Sequence, residues 1–476
     1  MVTASLRAIS LVLALSMGVS ALAQTPAAPP APTQKPTALP APSQEPLDVD
    51  VAADPILRLS RAQASFAEFR TFIASAVERH PGTAESVATS EEARAALREA
   101  KERQLPSGDF SVTGYRVLSR EFSNDPDNIV ERSRPEQRTD ALLSVTQTIF
   151  DFGAGDARVA GARASLRGSQ ADVESAADRV ALAAVASWYD VFGYRALLSL
   201  TEAFVASQRE LKAAVEERVH EGVSAPGDVA RVESYIAQAE TRLAQYRRQL
   251  SNAEARFTEL TGSPPPADVE RSPPPATLTP SKDAATLAAE TSPAVRSAEA
   301  TAEAARKEAK ATRADRLGNL SGGIDAGRYG VFENDKDYDV RARISFRQRL
   351  FGGIDARVGQ VDARARAAEA RADRIREESS RDASIAWSDV QALEQQLASI
   401  QESYLAARRS RDVIAERFRV ARGSLFDVVA AEDSYFESAA SYIQSLTELD
   451  AARYVLLSRT GRLLDALAIQ PEKLGG

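Results

Sequence analysis

Asp339-Val340-Arg341-Ala342-Arg343-Ile344-Ser345-Phe346-Arg347-Gln348-Arg349-Leu350 alternates polar and apolar side chains over about a dozen residues, broken once at Gln348. A period of two predicts a half-buried strand, because successive strand side chains point to opposite faces. A fainter alternation precedes it, with Leu320, Gly322, Ile324 and Ala326 separated by Ser321, Gly323, Asp325 and Gly327. The two runs predict a hairpin over about residues 319–351, turning through 331–337. An earlier pair, Phe110-Ser111-Val112-Thr113-Gly114 and Leu143-Ser144-Val145-Thr146, predicts a second hairpin over about 109–150 around a longer polar loop at 121–139.

Strands of about ten residues with one apolar face have the length to cross a bilayer as part of a barrel. Four strands cannot close, and an open sheet edge is not tolerated in hydrocarbon. Either the hairpins are soluble and Arg341, Arg343, Arg347 and Arg349 coat a solvated face, or several chains share one barrel and these arginines line its lumen. Three chains would supply twelve strands, wide enough for a pore.

Outward from the hairpins the chain turns helical. No proline occurs between Pro135 and Pro226, or between Pro293 and Pro471. Within those spans, alanine-rich runs with charges of both signs at 162–221 and 356–421 each predict one helix of about 60 residues, about 90 to 100 Å long. Helices of that length need a partner along their whole extent. A repeat supplies it: Trp188-Tyr189-Asp190-Val191 returns 199 residues later as Trp387-Ser388-Asp389-Val390. The same offset pairs Glu217-Arg218 with Glu416-Arg417, Asp228-Val229 with Asp427-Val428, and Glu233 with Glu432. Near the strands the offset is 201, and at Pro81 and Pro293 it is 212, so the extra length of the first copy falls in its strand loop. The chain is therefore a tandem duplication. Trp188 and Trp387 are expected to pack where helices meet, His80 to mark a turn before Pro81, and His220 to lie on a helix face.

The apolar run at 8–19, followed by Ala21-Leu22-Ala23, reads as a secretory signal peptide over 1–23, too short for a membrane helix. A Pro/Ala-rich leader at 24–55 is expected to be disordered. The remainder divides into a first repeat at 56–262, a Pro-rich linker at 263–282, a second repeat at 283–467 and a tail at 468–476. Of 476 residues, none is cysteine and only His80 and His220 are histidine, which excludes disulfide scaffolds, thiolate chemistry and histidine-rich metal sites. The net charge of −8 argues against a nucleic-acid partner. No phosphate loop or catalytic triad is visible, so no enzyme, cofactor or metal is expected.

Over residues 66–467 this organisation resembles the TolC family of outer-membrane efflux and secretion channels. Gln147-Thr148-Ile149-Phe150-Asp151 and Gln348-Arg349-Leu350-Phe351-Gly352-Gly353 resemble the family's strand-to-helix junction. Arg218-Val219-His220-Glu221-Gly222 with Asp228-Val229, and residues 417–424 with Asp427-Val428, resemble its helix-turn-helix tips. The resemblance implies a mostly α protein with a membrane β-barrel portion. Three chains would close a twelve-stranded barrel in the outer membrane, continued through the periplasm by an α-barrel. It implies a passive homotrimeric duct, in contact with outer-membrane lipid, that works with a periplasmic adaptor and an ABC or proton-driven inner-membrane transporter. It places the periplasmic aperture at Asp427, Asp228, Phe418 and Arg422. Phe418 stands where the family has a gating tyrosine, Gly423, beside Arg422, stands where it has a gating arginine, and Ala430 replaces a second aspartate of the ring. Gly222, Val223 and Ser224 of one tip, and Ala421, Gly423 and Ser424 of the other, would meet the adaptor. The second tip and the helix after it resemble members serving type I protein secretion, the expected branch. Multidrug efflux is the alternative, and a periplasmic adaptor or coiled-coil rod is the alternative of a different class.

Overall fold

Proline and glycine set the helix ends in the computed structural model, which describes residues 49–61, 64–122, 129, 133–274, 280–333, 337–420 and 422–471. The signal peptide and most of the leader lie outside these residues. The helices are α1 (Pro55–Arg58), α2 (Phe66–Arg79), α3 (Pro81–Glu102), α4 (Ala154–His220), α5 (Pro226–Thr261), α6 (Lys282–Ala289), α7 (Pro293–Asp315), α8 (Ile354–Arg419), α9 (Leu425–Arg459) and α10 (Leu463–Ala466). Pro55, Pro81, Pro226 and Pro293 each open a helix, where the missing N–H costs nothing. His80 marks the turn before α3, its Nδ1 accepting from the Gly82 N–H at 3.0 Å.

The two long helices span 67 and 66 residues, about 100 Å each. Each starts directly after a left-handed glycine, Gly153 (φ 82°) or Gly353 (φ 80°), so α4 begins eight residues before the expected 162 and α8 two residues before the expected 356. Each long helix is paired along its length by two shorter ones. Against α4 lie α3 in the strand-proximal half and α5 toward the tip; against α8 lie α7 and α9. Because α4 also packs on α7 and α9, the two repeats form one layer four helices wide. Small residues permit the close approach: a Cβ added at Gly168 would lie 3.4 Å from the Cβ of Ala300 on α7. In α4, 28 residues are buried, against 11 in α8, which places α8 at an edge of the layer.

Midway along the helices an aromatic core gathers Phe69, Trp188, Phe257 and Tyr454. Trp188 donates from Nε1 to the Glu270 carbonyl at 2.8 Å, and half-buried Trp387 packs beside Val390, so both tryptophans are packing residues. The proline-rich segment is pinned to this core, since Arg271 makes two 2.8 Å hydrogen bonds with the buried Asp450 carboxylate.

The chain before α1 is also anchored, which corrects the reading of 24–55 as a disordered leader throughout. Asp54 is fully buried and accepts from the Ile56 and Leu57 N–H groups at 2.9 Å, from the Tyr404 hydroxyl at 2.8 Å and from Arg408. Burial, with Tyr435 and Asp54 nearby, pushes the Tyr404 hydroxyl above the usual phenol range, so it remains a donor. Beside it burial raises the Glu432 carboxyl, an effect that Arg411 opposes.

The strands are β1 (Ser107–Arg116), β2 (Gln137–Phe150), β3 (Asn319–Tyr329) and β4 (Tyr338–Arg347), antiparallel in the order β1-β2-β3-β4. The central β2–β3 joint therefore unites the two hairpins. Alternation in the sequence runs on to Leu350, but β4 ends at Arg347 because its partner β3 begins at Asn319. Arg349 thus lies beyond the sheet, a correction to its placement among the lumen arginines. Among the described residues no helix is long and apolar enough to cross a membrane.

Candidate functional site

Two regions have side chains that serve no internal packing: the sheet, and the tips of the long hairpins. The strand register sorts the sheet into two faces. Val340 stands opposite Ala326, and Ala342 opposite Ile324, while Val145 and Leu143 extend the same face across β2 to Phe110 on β1. With Val112, Ile344 and Phe346 these residues make a continuous apolar surface that no helix covers; Ile344 is 76% exposed. The other face is polar. Arg341 and Arg343 stand there with Asp325, which accepts from the Ser144 hydroxyl at 2.8 Å and lies 3.9 Å from Arg343. Arg341 pairs with Asp339, and Ser321 bonds Ser345 at 2.9 Å. Among the described residues, the outer edges of β1 and β4 pair with no further strand.

At the opposite end both long helices stop in the same way. The Val223 N–H reaches back to the Arg218 carbonyl at 2.8 Å, and the Arg422 N–H to the Arg417 carbonyl at 2.8 Å. In the first tip Gly222 takes φ 73°, and its N–H bonds the Val219 carbonyl, completing a Schellman turn that needs glycine or asparagine. Gly423 is favoured for a different reason, since a Cβ there would crowd the Phe418 nitrogen at 3.2 Å. Ala421 lies outside the described residues.

The two aligned aspartates differ. Asp228 accepts from the Ala225 N–H at 3.3 Å and sits 3.6 Å from Arg231, so it is tied into its own turn. Asp427 is exposed, and its carboxylate has no hydrogen bond or ion pair among the described residues. The capping role there falls to the Ser424 hydroxyl, which accepts from the Asp427 N–H at 3.2 Å. Phe418 is only 8% exposed, in a cluster with Val215, Val232, Leu425 and Val429. Arg218 closes over it, 4.3 Å from the ring centroid, and donates to the Phe418 carbonyl at 3.0 Å. Phe418 therefore fastens the two tips of one protomer together, which corrects its assignment to the aperture lining. Arg422 is exposed, as are Val223, Val420 and Phe426, the last under Arg231 at 4.1 Å.

This role of Arg218 has no signature in the sequence; a long cation near an aromatic carries no spacing signal when the partners are 200 residues apart. Ser424 was legible, because Ser-x-x-Asp before an apolar run is a helix-start signature.

The family model described as outer membrane efflux protein matches residues 72–263. The outer membrane efflux protein BepC of Brucella suis biovar 1 (strain 1330) is 23% identical over 334 residues, which are 69% of this chain and 73% of that protein. Among solved structures, the outer membrane protein VceC of Vibrio cholerae superposes with a TM-score of 0.73 at 14% identity, covering 83% of this chain and 96% of that one. The CmeC outer membrane channel of Campylobacter jejuni gives 0.71 at 14% identity, covering 83% and 86%. At these identities the solved structures establish the fold, a helical barrel segment joined to a β-portion.

Proposed function

We propose that the chain, which the outer membrane efflux protein model matches over residues 72–263, is a TolC-like channel, and that three copies form the exit duct of a tripartite export system. Members of the family are transport components of the outer membrane, without catalytic activity of their own. The observation that carries the trimeric reading is the two-faced sheet with unpaired edges. Lipid would cover Ile344, Val340 and Phe110; water in the lumen would solvate Arg341, Arg343 and Arg347; and neighbouring copies would pair β1 with β4. Arginines turned to lipid would each cost about 2–4 kcal/mol at the bilayer midplane, so the faces cannot be exchanged. The exposed tips, with Gly222, Val223, Ser224, Gly423 and Ser424, are the surface for a periplasmic adaptor, and an ABC or proton-driven inner-membrane transporter supplies the energy.

Asp427, an exposed carboxylate without a partner near the turn, is the residue to hold a cation at the aperture. Asp427→Ala is expected to weaken divalent-cation block several-fold in single-channel recordings; unchanged block removes Asp427 from the constriction. Asp228, already engaged with Arg231 and its own turn, contributes less.

For the cargo we favour small molecules, because the curated relative is named for efflux. Type I protein secretion is the second reading, which rests on the resemblance of the second tip and the helix after it, from Phe426 to Leu464, to members serving that system. Deletion of the gene should lower resistance to dyes and detergents several-fold while the secreted proteins stay unchanged. Loss of one secreted protein with intact resistance would reverse the choice.

A further inference from the structure

A buried layer of polar side chains lies between two apolar clusters in the tip half of the helices. On its sheet side, Phe204 of α4 packs on Phe436 of α9 with ring centroids 4.6 Å apart, in the same cluster as Tyr404 of α8. On its tip side stands the cluster of Val215, Ile414, Phe418 and Val429. Gln208 of α4 and Glu432 of α9 are each one turn nearer the tip than the paired phenylalanines, because α4 runs toward the tip and α9 away from it. Arg411 and Asp412 of α8 reach the same level, with Arg411 4.4 Å above the Tyr435 ring. All four side chains are buried.

The layer lacks donors. Asp412 Oδ2, Glu432 Oε2 and Gln208 Oε1 are buried acceptors with no hydrogen-bond partner among the described residues. Arg411 is already engaged, its Nε donating to Asp412 Oδ1 at 2.8 Å. Charge is unbalanced in the same sense, since the buried carboxylates here are Asp54, Asp412 and Glu432, while the buried cations are Arg408, which serves Asp54, and Arg411. The neighbouring elements do not redress it. The α4 cations Arg209 and Lys212 pair with Glu240 and Glu233 of α5, and Arg242 of α5 is drawn to Asp433 and Glu437. Burial raises the Glu432 carboxyl; Arg411 opposes the rise, and Asp412 and Asp433 add to it. A single proton remedies both deficits, because it turns one acceptor into a donor and removes one buried charge.

We propose that Asp412 and Glu432 hold one proton between them, and that its release loosens the packing of α4, α8 and α9 above the tips, so that tip order follows pH. The pair titrates as a unit. Folding strengthens its hold on the proton, so the stabilisation is complete below the ordinary glutamate value of about 4.3 and is lost as pH rises through the raised one. The device lies inside one chain and goes beyond the exit-duct reading, in which the tips are the periplasmic end of the duct.

A chain without cysteine accepts a single spin label at Val223→Cys, an exposed tip position. The background carries His220→Gln, so that the imidazole beside the tip does not contribute. In the full-length protein, label mobility should rise in one step between about pH 5 and about pH 9. Glu432→Gln should abolish the step and leave the label ordered throughout. Asp412→Asn, which removes the like charge beside Glu432, should move the step to lower pH. No step in the parent, a step that survives Glu432→Gln, or a step set by sodium or potassium concentration at fixed pH overturns the shared proton. Should Glu432→Gln not fold, Asp412→Asn decides alone, and an unmoved step overturns the pair. Conductance plays no part in the readout, so failure here leaves the duct reading standing.

Discussion

Ile344→Arg is expected to abolish stable insertion into the outer membrane, while Arg343→Ser, one residue away, leaves insertion intact and changes conductance. Ile344 lies toward the middle of the apolar face of β4, opposite Gly322, with nothing of its own chain above it. An arginine facing hydrocarbon there costs about 2–4 kcal/mol per copy, and a three-fold assembly incurs that cost three times. No neighbour can shield the new charge, since Gly322 has no side chain. Arg343 stands on the other face beside Asp325, so its truncation removes a lumen charge without touching lipid. The comparison is read from folding into liposomes under a urea titration, with single-channel conductance for the variant that inserts. Equal tolerance of both substitutions would mean that the sheet does not face lipid and would return the hairpins to a soluble reading.

The second large effect belongs to Asp54→Ala. That carboxylate holds two backbone N–H groups at the start of α1, the Tyr404 hydroxyl and the Arg408 guanidinium, all buried. Removing it strands a buried cation, and breaking such a pair from one side typically costs about 3–5 kcal/mol. A thermal or chemical unfolding scan of the purified protein should show that loss. The double replacement Asp54→Leu with Arg408→Met should lose far less, because no charge is then left unpaired. A single variant as stable as the unmodified chain would mean that the segment before α1 is not anchored through this contact. The loss should extend toward the tip, because Tyr404 and Arg408 sit on the last five turns or so of α8, which end at Arg419 beside the Phe418 cluster.

How much of this was legible in the sequence depended on whether the signal was local. The strands announced themselves because a period of two in a sheet with one apolar face has few other readings, and the tandem tryptophans fixed the duplication. Boundaries were read less well. Gly153-Ala154-Gly155 has the composition of a turn, yet α4 begins inside it, since one left-handed glycine suffices to cap the helix. The end of β4 was set by where β3 begins, which alternation within β4 cannot report. Asp54 and Tyr404 are 350 positions apart, so nothing near Asp54 distinguishes it from the other carboxylates of a polar leader. At the tips, the resemblance placed Phe418 at the aperture and could not report its surroundings, because Arg218 arrives from the other repeat.

The joint between β2 and β3 also sets a timetable. Asp140 pairs with Tyr329, and the whole first helical hairpin lies between them in sequence, whereas each long hairpin of helices is local in sequence. Contacts that close long loops form late, so helices precede the sheet as the chain folds. Until both repeats have emerged, each strand hairpin is a two-stranded ribbon, too small to be stable alone, with an apolar side and two hungry edges. The helices are therefore expected to be made while the strands are still unsheltered, and that interval is when such a chain is most exposed to proteases and aggregation.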